Sequence, residues 1–252
     1  MKPINYEEIA GSYDERYKSA YKPEGIASKL LELAQEVKAL RILEVACGTG
    51  HWLEILQAKS KVYGIDLSFG MLKKAIERKG RFFLINGDIA SLPISNGNFD
   101  IVFCVNSLHH FRNPSGFIFD AQKLLRRDGV LAIFGMNPHA NGDRWFIYDY
   151  FPETYEADLG RYPSQGTIVD WMISAGFKNV KWQIGERIVD HREGGDVLPL
   201  SKNFTSQLTL LSPAEYRRGI NRIESALREA KAVGETLTFP VDISLSMITG
   251  RV

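Results

Sequence analysis

Cysteine is scarce in this chain, which has two among its 252 residues, Cys47 and Cys104, each inside an apolar segment. Two isolated cysteines do not form a disulfide framework, and this usage is typical of a protein from a reducing compartment. Neither cysteine belongs to a Cys/His spacing of the kind that binds zinc. Because His51, His139 and His191 are also isolated along the chain, we predict no metal site.

The chain also has little net charge and no long apolar run. The 31 basic and 30 acidic side chains give a formal net charge of +1, and the basic pairs are scattered rather than gathered into the stripe that nucleic-acid-binding proteins usually carry. No apolar run approaches the roughly 20 residues that span a bilayer, and the first residues lack the apolar core of a signal peptide. We therefore expect a cytoplasmic protein whose partners include neither a nucleic acid nor a membrane.

Strand-like and helix-like segments alternate between residues 41 and 135. The strand-like runs are almost continuously apolar, as parallel strands are when helices cover both faces of their sheet. Alternation of this kind predicts right-handed crossovers and an α/β fold. The predicted strands are Arg41–Ala46, Lys61–Asp66, Phe82–Asn86, Asp100–Val105 and Gly129–Gly135.

The other segments are expected to complete a single domain of residues 1–252. Apolar residues at helical spacing predict two amphipathic helices within residues 1–40. Beyond the alternating segments we predict two structured insertions, residues 136–165 and 186–235. A sixth strand, Lys178–Ile184, is expected between them, and a closing strand is expected within residues 236–252.

Two later helices carry recognisable start signals. Thr167 and Asp170 have the spacing of an N-terminal cap, and Ser212-Pro-Ala-Glu215 is a capping box with proline at the first helical position. We expect one helix to begin at each signal.

Residues 41–50 are the most informative stretch, since an apolar strand ends there in a turn of small residues that carries an acid. Open α/β sheets bind nucleoside ligands at such a turn. A dinucleotide fingerprint needs three glycines, but Gly48 and Gly50 are followed by Leu53 where the third would stand. The Glu44 carboxylate would repel a pyrophosphate and suits a ligand that carries positive charge.

On this motif the chain resembles the class I S-adenosylmethionine (AdoMet) methyltransferases, whose first motif is an acid, small residues and Gly-x-Gly; Ala46 stands at the first glycine position. The resemblance implies AdoMet as cofactor and a Rossmann-like, doubly wound sheet of seven strands whose last strand runs antiparallel between the fifth and sixth. It also implies that residues 41–135 form the cofactor-binding half, that the N-terminal helices form a lid, and that the two insertions form a helical cap over the acceptor pocket.

Two further acids follow the second and third predicted strands. Asp66 is suited to accept both ribose hydroxyl protons, although the same residue type serves NAD sites and does not by itself name the cofactor. In the resembled family the acid at Asp88 accepts from the adenine amino group, and the backbone at Ile89 meets a ring nitrogen. Dinucleotide dehydrogenases have no regular counterpart to this third acid.

The fourth strand begins Phe99-Asp and ends in Ser-x-His-His-Phe, which resembles the small-molecule branch of the family, including enzymes that act on quinone precursors. His109 and His110 would follow this strand and face the methyl group, where an imidazole is suited to accept an acceptor's proton. Packing under the sheet edge and bonding to the loop is an equally good interpretation of the pair. Asn106 is expected near the aminoacid end of AdoMet.

The interpretation is methyl transfer from AdoMet to a small molecule at oxygen, nitrogen or carbon by in-line displacement, in a monomer or homodimer. The alternatives are methylation of RNA or protein in the same fold, a non-catalytic AdoMet-binding module and, less favoured, an NAD-dependent oxidoreductase. Tyr13 and Tyr17 are expected either to close over the cofactor or to pack in the core. The predicted cofactor-binding residues are Tyr13, Glu44, Ala46, Cys47, Gly48, Gly50, Asp66, Leu67, Met71, Asp88, Ile89 and Asn106.

Overall fold

The computed structural model describes residues 6–11, 13–14, 24–88, 95–198 and 200–252. The chain divides into two compact units, each treated by itself below. The sheet unit consists of Asn5–Met136, Pro163–Glu186 and Leu245–Val252. The insert unit includes Asn137–Tyr162 and Arg187–Ser244, which are close to the two predicted insertions.

The strands form one eight-stranded sheet in the order β3-β2-β1-β4-β5-β8-β6, with β7 pairing β8. β1 to β5 pair in parallel, and β8 is antiparallel to β5. The α/β class and an antiparallel last strand between the fifth strand and the sixth predicted strand are therefore confirmed. The strands are β1 Arg41–Val45, β2 Lys61–Asp66, β3 Phe82–Asn86, β4 Phe99–Val105, β5 Leu125–Met136, β6 Arg144–Trp145, β7 Lys178–Glu193 and β8 Thr238–Arg251.

Helices join the strands and make up most of the insert unit. No helix in the part of the chain that the structure describes is both long and apolar enough to cross a bilayer. The helices are α1 Tyr6–Ile9, α2 Glu24–Glu36, α3 His51–Leu56, α4 Phe69–Glu77, α5 Pro114–Leu124, α6 Phe146–Tyr150, α7 Pro152–Arg161, α8 Gln165–Ser174, α9 Gly194–Val197, α10 Ser206–Leu210 and α11 Pro213–Ala232.

The expected number of seven strands is wrong, because the two-residue strand β6 adds an eighth by pairing with β8. Two residues carry no periodic pattern, so a strand of this length has no sequence signal. β7 also continues past the predicted end at Ile184 and reaches Glu193. Its second half alternates half-buried and exposed residues, but many of these residues are charged, which conceals the apolar alternation of a strand.

One predicted helix start is wrong and another is confirmed. The helix assigned to the Thr167 signal begins earlier, after Ser164, whose Oγ accepts from the Thr167 backbone N–H at 3.1 Å. Ser164 is the better cap because it stands three residues before the amide that it satisfies. At α11 the Ser212 Oγ accepts from Glu215 N at 3.2 Å, and Glu215 Oε2 accepts from Ser212 N at 2.7 Å.

The core of the sheet unit explains why the strands read as continuous apolar runs. Ile42, Leu43, Val102 and Phe103 are fully buried in β1 and β4, the two central strands. Each such side chain contributes about 1.5–3 kcal/mol relative to exposure. Because β1 to β5 run in parallel, their carboxyl ends meet at one edge of the sheet, which is where the predicted site residues lie.

Candidate functional site

The turn after β1 has a backbone that lets a ligand approach closely. Ala46, Gly48 and Gly50 have φ values of 56°, 52° and 74°, all in the left-handed region. Glycine adopts this region without steric cost, whereas alanine at the first position is strained. The Cys47 N–H donates to Ile65 O at 3.0 Å and so anchors the turn to β2.

Leu53 stands where a dinucleotide motif has its third glycine, and the helix and the strand approach each other by a different contact. Leu53 of α3 is fully buried, and a Cβ added at Gly64 of β2 would lie 2.6 Å from Leu53 Cδ1 and 2.7 Å from Cys47 Sγ. The close approach that a helix glycine would permit is therefore permitted here by a glycine in the strand. The Cys47 thiol packs against the sheet, and only its backbone belongs to the turn.

Glu44 is the acid of this turn and lies at 2% exposure. Its Oε2 atom is buried and has no hydrogen-bond partner among the described residues. Burial raises the pKa of the Glu44 carboxyl well above its ordinary value, the Asp66 charge raises it further, and the Arg78 guanidinium acts in the opposite direction. A buried carboxylate oxygen without a donor fits a cationic ligand group, which would supply both a donor and a positive charge.

Asp66 lies at the end of β2, next to the turn. Its Oδ2 accepts from Gly48 N at 2.7 Å and its Oδ1 from Ser68 N at 2.8 Å. Burial raises the pKa of Asp66, while the backbone hydrogen bonds from Ser68 and Gly48 lower it and the Glu7 charge raises it. Each carboxylate oxygen keeps a second lone pair for a ligand hydroxyl.

Strand pairing lines up the ends of β2 and β3. Asp66 is paired with Asn86, whose Nδ2 donates to Asp66 O at 3.0 Å and to Leu67 O at 2.9 Å. Leu67, 71% exposed, offers an apolar surface beside the acid. Asp88 is half-buried just past β3, and Ile89 lies outside the described residues. Asn86 was missed, since an asparagine in a turn composition carries no distinguishing signal.

Met71 takes a different position from the other predicted cofactor-binding residues. It faces the core at 1% exposure, and its backbone N–H donates to Ser68 Oγ at 3.1 Å as part of the N-terminal cap of α4. The structure therefore places the Met71 side chain under the site.

The two histidines form a 3-10 turn, Leu108–His110, after β4. Their ring centroids are 3.9 Å apart. Tyr6 Oη lies 2.7 Å from His110 Nε2, at hydrogen-bond distance, and the two rings meet edge to face with centroids 5.3 Å apart. Asn106, exposed, has a left-handed φ of 48°, and its N–H donates to Phe134 O at 2.8 Å. The sequence pattern predicted that Tyr6 lies on a helical face but did not predict its contact with His110.

The N-terminal segment contacts the same edge of the sheet. A Cβ added at Gly48 would lie 3.9 Å from Tyr13 Cε1, so the Tyr13 ring lies over the turn. Glu7 accepts from Gly70 N at 2.9 Å, at the start of α4. Tyr17 lies outside the described residues.

The carboxyl ends of β1, β2 and β3 thus present Glu44, Asp66 and Asp88 in strand order, beside a turn with a left-handed backbone. The acids suit an ammonium group, a ribose and an adenine amino group, and the turn suits close backbone contact. A family model described as a methyltransferase domain matches residues 43–133. Residues 43–133 thus resemble a methyltransferase domain.

Two curated relatives resemble part of the chain. Malonyl-[acyl-carrier protein] O-methyltransferase of Legionella pneumophila is 32% identical over 122 residues, which are 45% of this chain and 43% of the relative. Demethylmenaquinone methyltransferase of Thermotoga maritima is 28% identical over 137 residues, 52% of this chain and 59% of the relative. The similarity thus spans about half of this chain and roughly half of each relative.

A solved structure extends the similarity of fold over most of the chain. The SAM-dependent methyltransferase of Archaeoglobus fulgidus superposes with a TM-score of 0.59 at 17% sequence identity, and covers 94% of this chain and 98% of that one. The similarity of fold therefore extends over nearly the whole chain.

Proposed function

We propose that this protein transfers a methyl group from AdoMet to a small-molecule acceptor. The observation that carries the proposal is the buried, unpartnered Oε2 of Glu44 beside the left-handed turn. That oxygen needs a donor, and the positively charged aminoacid end of AdoMet provides one. A dinucleotide would instead bring its pyrophosphate against this carboxylate.

The residues at the carboxyl ends of β1, β2 and β3 each bind a different part of AdoMet. Glu44 pairs with the ammonium, Asp66 accepts from the ribose hydroxyls, and Asp88 accepts from the adenine amino group. Leu67 covers one face of the adenine, and Tyr13 covers the turn. When bound, AdoMet supplies a methyl group on a sulfonium, which is an activated leaving group. Holding donor and acceptor in line is worth up to about 7–11 kcal/mol of the barrier.

His110 is the candidate base for an acceptor that must lose a proton. Tyr6 Oη lies 2.7 Å from its Nε2, at hydrogen-bond distance, and so orients the imidazole ring at the end of β4. His109 packs against the His110 ring and supports its orientation. This role applies to oxygen or nitrogen acceptors that are protonated before transfer.

A small metabolite is favoured over RNA as the acceptor. The formal net charge of +1, with its basic residues scattered, supports an acceptor other than a polyanion. The names of the two relatives specify malonyl-[acyl-carrier protein] and demethylmenaquinone, which supports a metabolite-type acceptor group. The acceptor atom is oxygen, nitrogen or carbon.

Calorimetric titration with AdoMet, S-adenosylhomocysteine and NAD tests the cofactor. We expect the two adenosyl ligands to bind and NAD to fail. Asp66→Ala should weaken S-adenosylhomocysteine by about 100-fold or more, because each hydrogen bond to a charged group is worth about 1.5–3 kcal/mol. The control is Asp120→Ala, since Asp120 pairs with Lys123 on the surface of α5, and it should bind as the unaltered protein does.

Methyl transfer is then tested with AdoMet labelled in its methyl group and a panel of thioester-linked, quinone-type and amine acceptors. Label should move to one acceptor class in the unaltered protein and not in Asp66→Ala. Binding of NAD in place of S-adenosylhomocysteine would contradict the cofactor assignment. Binding without transfer to any acceptor in the panel would favour a non-catalytic AdoMet-binding protein.

A further inference from the structure

Arg78, at the end of α4, makes a set of contacts that the proposed function has not used. Its side chain is 18% exposed. Nε donates to Thr49 O at 2.5 Å, Nη1 to Glu54 Oε2 at 2.7 Å, and Nη2 to Asp14 Oδ2 at 2.8 Å. One guanidinium therefore joins the turn after β1, helix α3 and the N-terminal segment. A lysine could not reproduce this planar set of donors.

Thr49 lies between the two glycines of the turn and is buried. Its Oγ1 donates to Asp14 Oδ1 at 2.6 Å, so Asp14 receives one bond from the turn and one from Arg78. Asp14 follows Tyr13, whose ring lies over Gly48. The contacts of Asp14 therefore tie the residue next to Tyr13 to the turn and to Arg78.

Arg78 also acts on Glu44 through its charge. It lowers the pKa of Glu44 against the larger effect of burial and against the Asp66 charge. The Cys47 and Cys104 thiols interact with Glu44 as well, but burial raises the pKa of both, that of Cys104 to about 12. Both thiols are uncharged at neutral pH, so Arg78 is the positive charge that favours the ionised form of Glu44.

We propose that Arg78 is a positioning residue for AdoMet, which fixes the turn at Thr49, holds Asp14 and Tyr13 over it, and keeps Glu44 ready to pair with the ligand's ammonium. The inference rests on the proposed function, since it assigns the turn to AdoMet. Arg78 acts through Thr49, Asp14 and Glu44 and does not itself touch the reacting atoms.

The test compares Arg78→Met with Lys74→Met. Both changes remove one positive charge at or near the end of α4, but Lys74 pairs only with Glu77 in the contacts of the described residues that involve its ammonium. We expect Arg78→Met to weaken S-adenosylhomocysteine by at least about tenfold, as expected for loss of hydrogen bonds between charged groups. Lys74→Met should bind within about twofold of the unaltered protein, as is usual for a surface ion pair.

The pH dependence of binding separates positioning from a merely structural role. Glu44 must be ionised to pair with the ammonium, so binding is lost as the pH falls through the pKa of Glu44. Arg78→Met should move this loss to higher pH, since the charge that lowers the pKa is gone. Arg78→Lys should restore the pH of the loss but not the full affinity, because it keeps the charge without the fork of donors.

A second variant, at Asp14, keeps the inference testable if Arg78→Met does not fold. If circular dichroism shows Arg78→Met to be unfolded, Asp14→Ala decides, because its carboxylate is partly exposed at 38% and removing it leaves the core intact. Asp14→Ala should weaken S-adenosylhomocysteine several-fold by releasing the segment that carries Tyr13. An affinity unchanged in the deciding variant, or weakened in Arg78→Met with no shift in pH dependence, would overturn the inference. Failure of the unaltered protein to bind S-adenosylhomocysteine would instead refute the proposed function.

Discussion

Glu44 is the buried acid of the candidate site, and its burial opposes its ionisation. A carboxyl group at 2% exposure is more stable protonated than ionised, and the nearby Asp66 carboxylate increases this preference. A ligand ammonium reverses the preference because it pairs with the ionised form. In the proposed function, binding of the ligand is therefore coupled to ionisation of Glu44.

Glu44→Gln should change stability and binding in opposite ways. Because the folded-state pKa of Glu44 is raised, the stability that this group contributes is present below its ordinary pKa and is lost as the pH rises through the folded value. The glutamine variant lacks this loss. Without ligand, its Tm relative to the unaltered protein should rise as the pH increases above the ordinary pKa of a glutamate and through the raised pKa of Glu44, while its affinity for S-adenosylhomocysteine falls.

The measurement is thermal unfolding of both proteins across that pH range, with the other titrating groups common to both. Parallel curves would show that Glu44 does not titrate there. Unchanged affinity would show that it does not contact the ammonium.

Tyr6 offers a second test at the scale of one residue. Tyr6→Phe removes the hydrogen bond to His110 Nε2 and keeps the edge-to-face ring contact at 5.3 Å. We expect kcat to fall about two- to thirteenfold, as the loss of one hydrogen bond worth about 0.5–1.5 kcal/mol predicts, and S-adenosylhomocysteine affinity to stay within about twofold. The control is Tyr63→Phe, whose ring stacks on Phe83 within the sheet. An equal loss of kcat in both variants would contradict the role of Tyr6.

At the scale of elements, helix α3 packs closely on β2 although the helix lacks the glycine that a dinucleotide-binding motif has there. A Rossmann motif places a glycine in the helix so that the strand approaches closely. Here Leu53 is in the helix and Gly64 in the strand, with 2.6 Å between Leu53 Cδ1 and a Cβ added at Gly64. The missing third glycine therefore leaves the close approach intact and changes only which partner provides the space.

Helix α11 supplies a prediction that concerns one element. Ser212→Ala removes the N-terminal cap and half of the capping box, at a cost of about 1 kcal/mol. For a chain of this size, that corresponds to a fall in Tm of about 2–4 °C. Ser225→Ala is the control in the same helix, since Ser225 makes an exposed hydrogen bond to Glu229 at 3.1 Å, and alanine there should leave Tm unchanged or higher. A Tm of Ser212→Ala equal to that of the control would show that the box does not stabilise the helix.

At the scale of the whole molecule, the match to the methyltransferase domain covers residues 43–133 and ends within β5. The three acids and both histidines fall inside these limits. Residues outside them form the N-terminal helices, the later strands and the insert unit. That the insertions cap the acceptor pocket, and that residues 1–252 act as one domain, stay predictions.

The sequence by itself determined the features that depend on neighbouring residues. Apolar runs identified the parallel strands, whose carboxyl ends meet at one edge. Glu44, Asp66 and Asp88, at or just past the ends of three successive strands, carried the resemblance to the AdoMet methyltransferases that implied the cofactor. The Ser212 capping box could also be predicted from the sequence, since all its atoms lie within one turn of helix.

Only the tertiary structure decided the contacts between distant parts of the chain. Tyr6 and His110 are separated by 104 positions, and Asp14 and Arg78 by 64. No local periodicity encodes such pairs, because they form only when packing brings their elements together. The raised pKa of Glu44 has the same origin, since burial is a property of the folded chain.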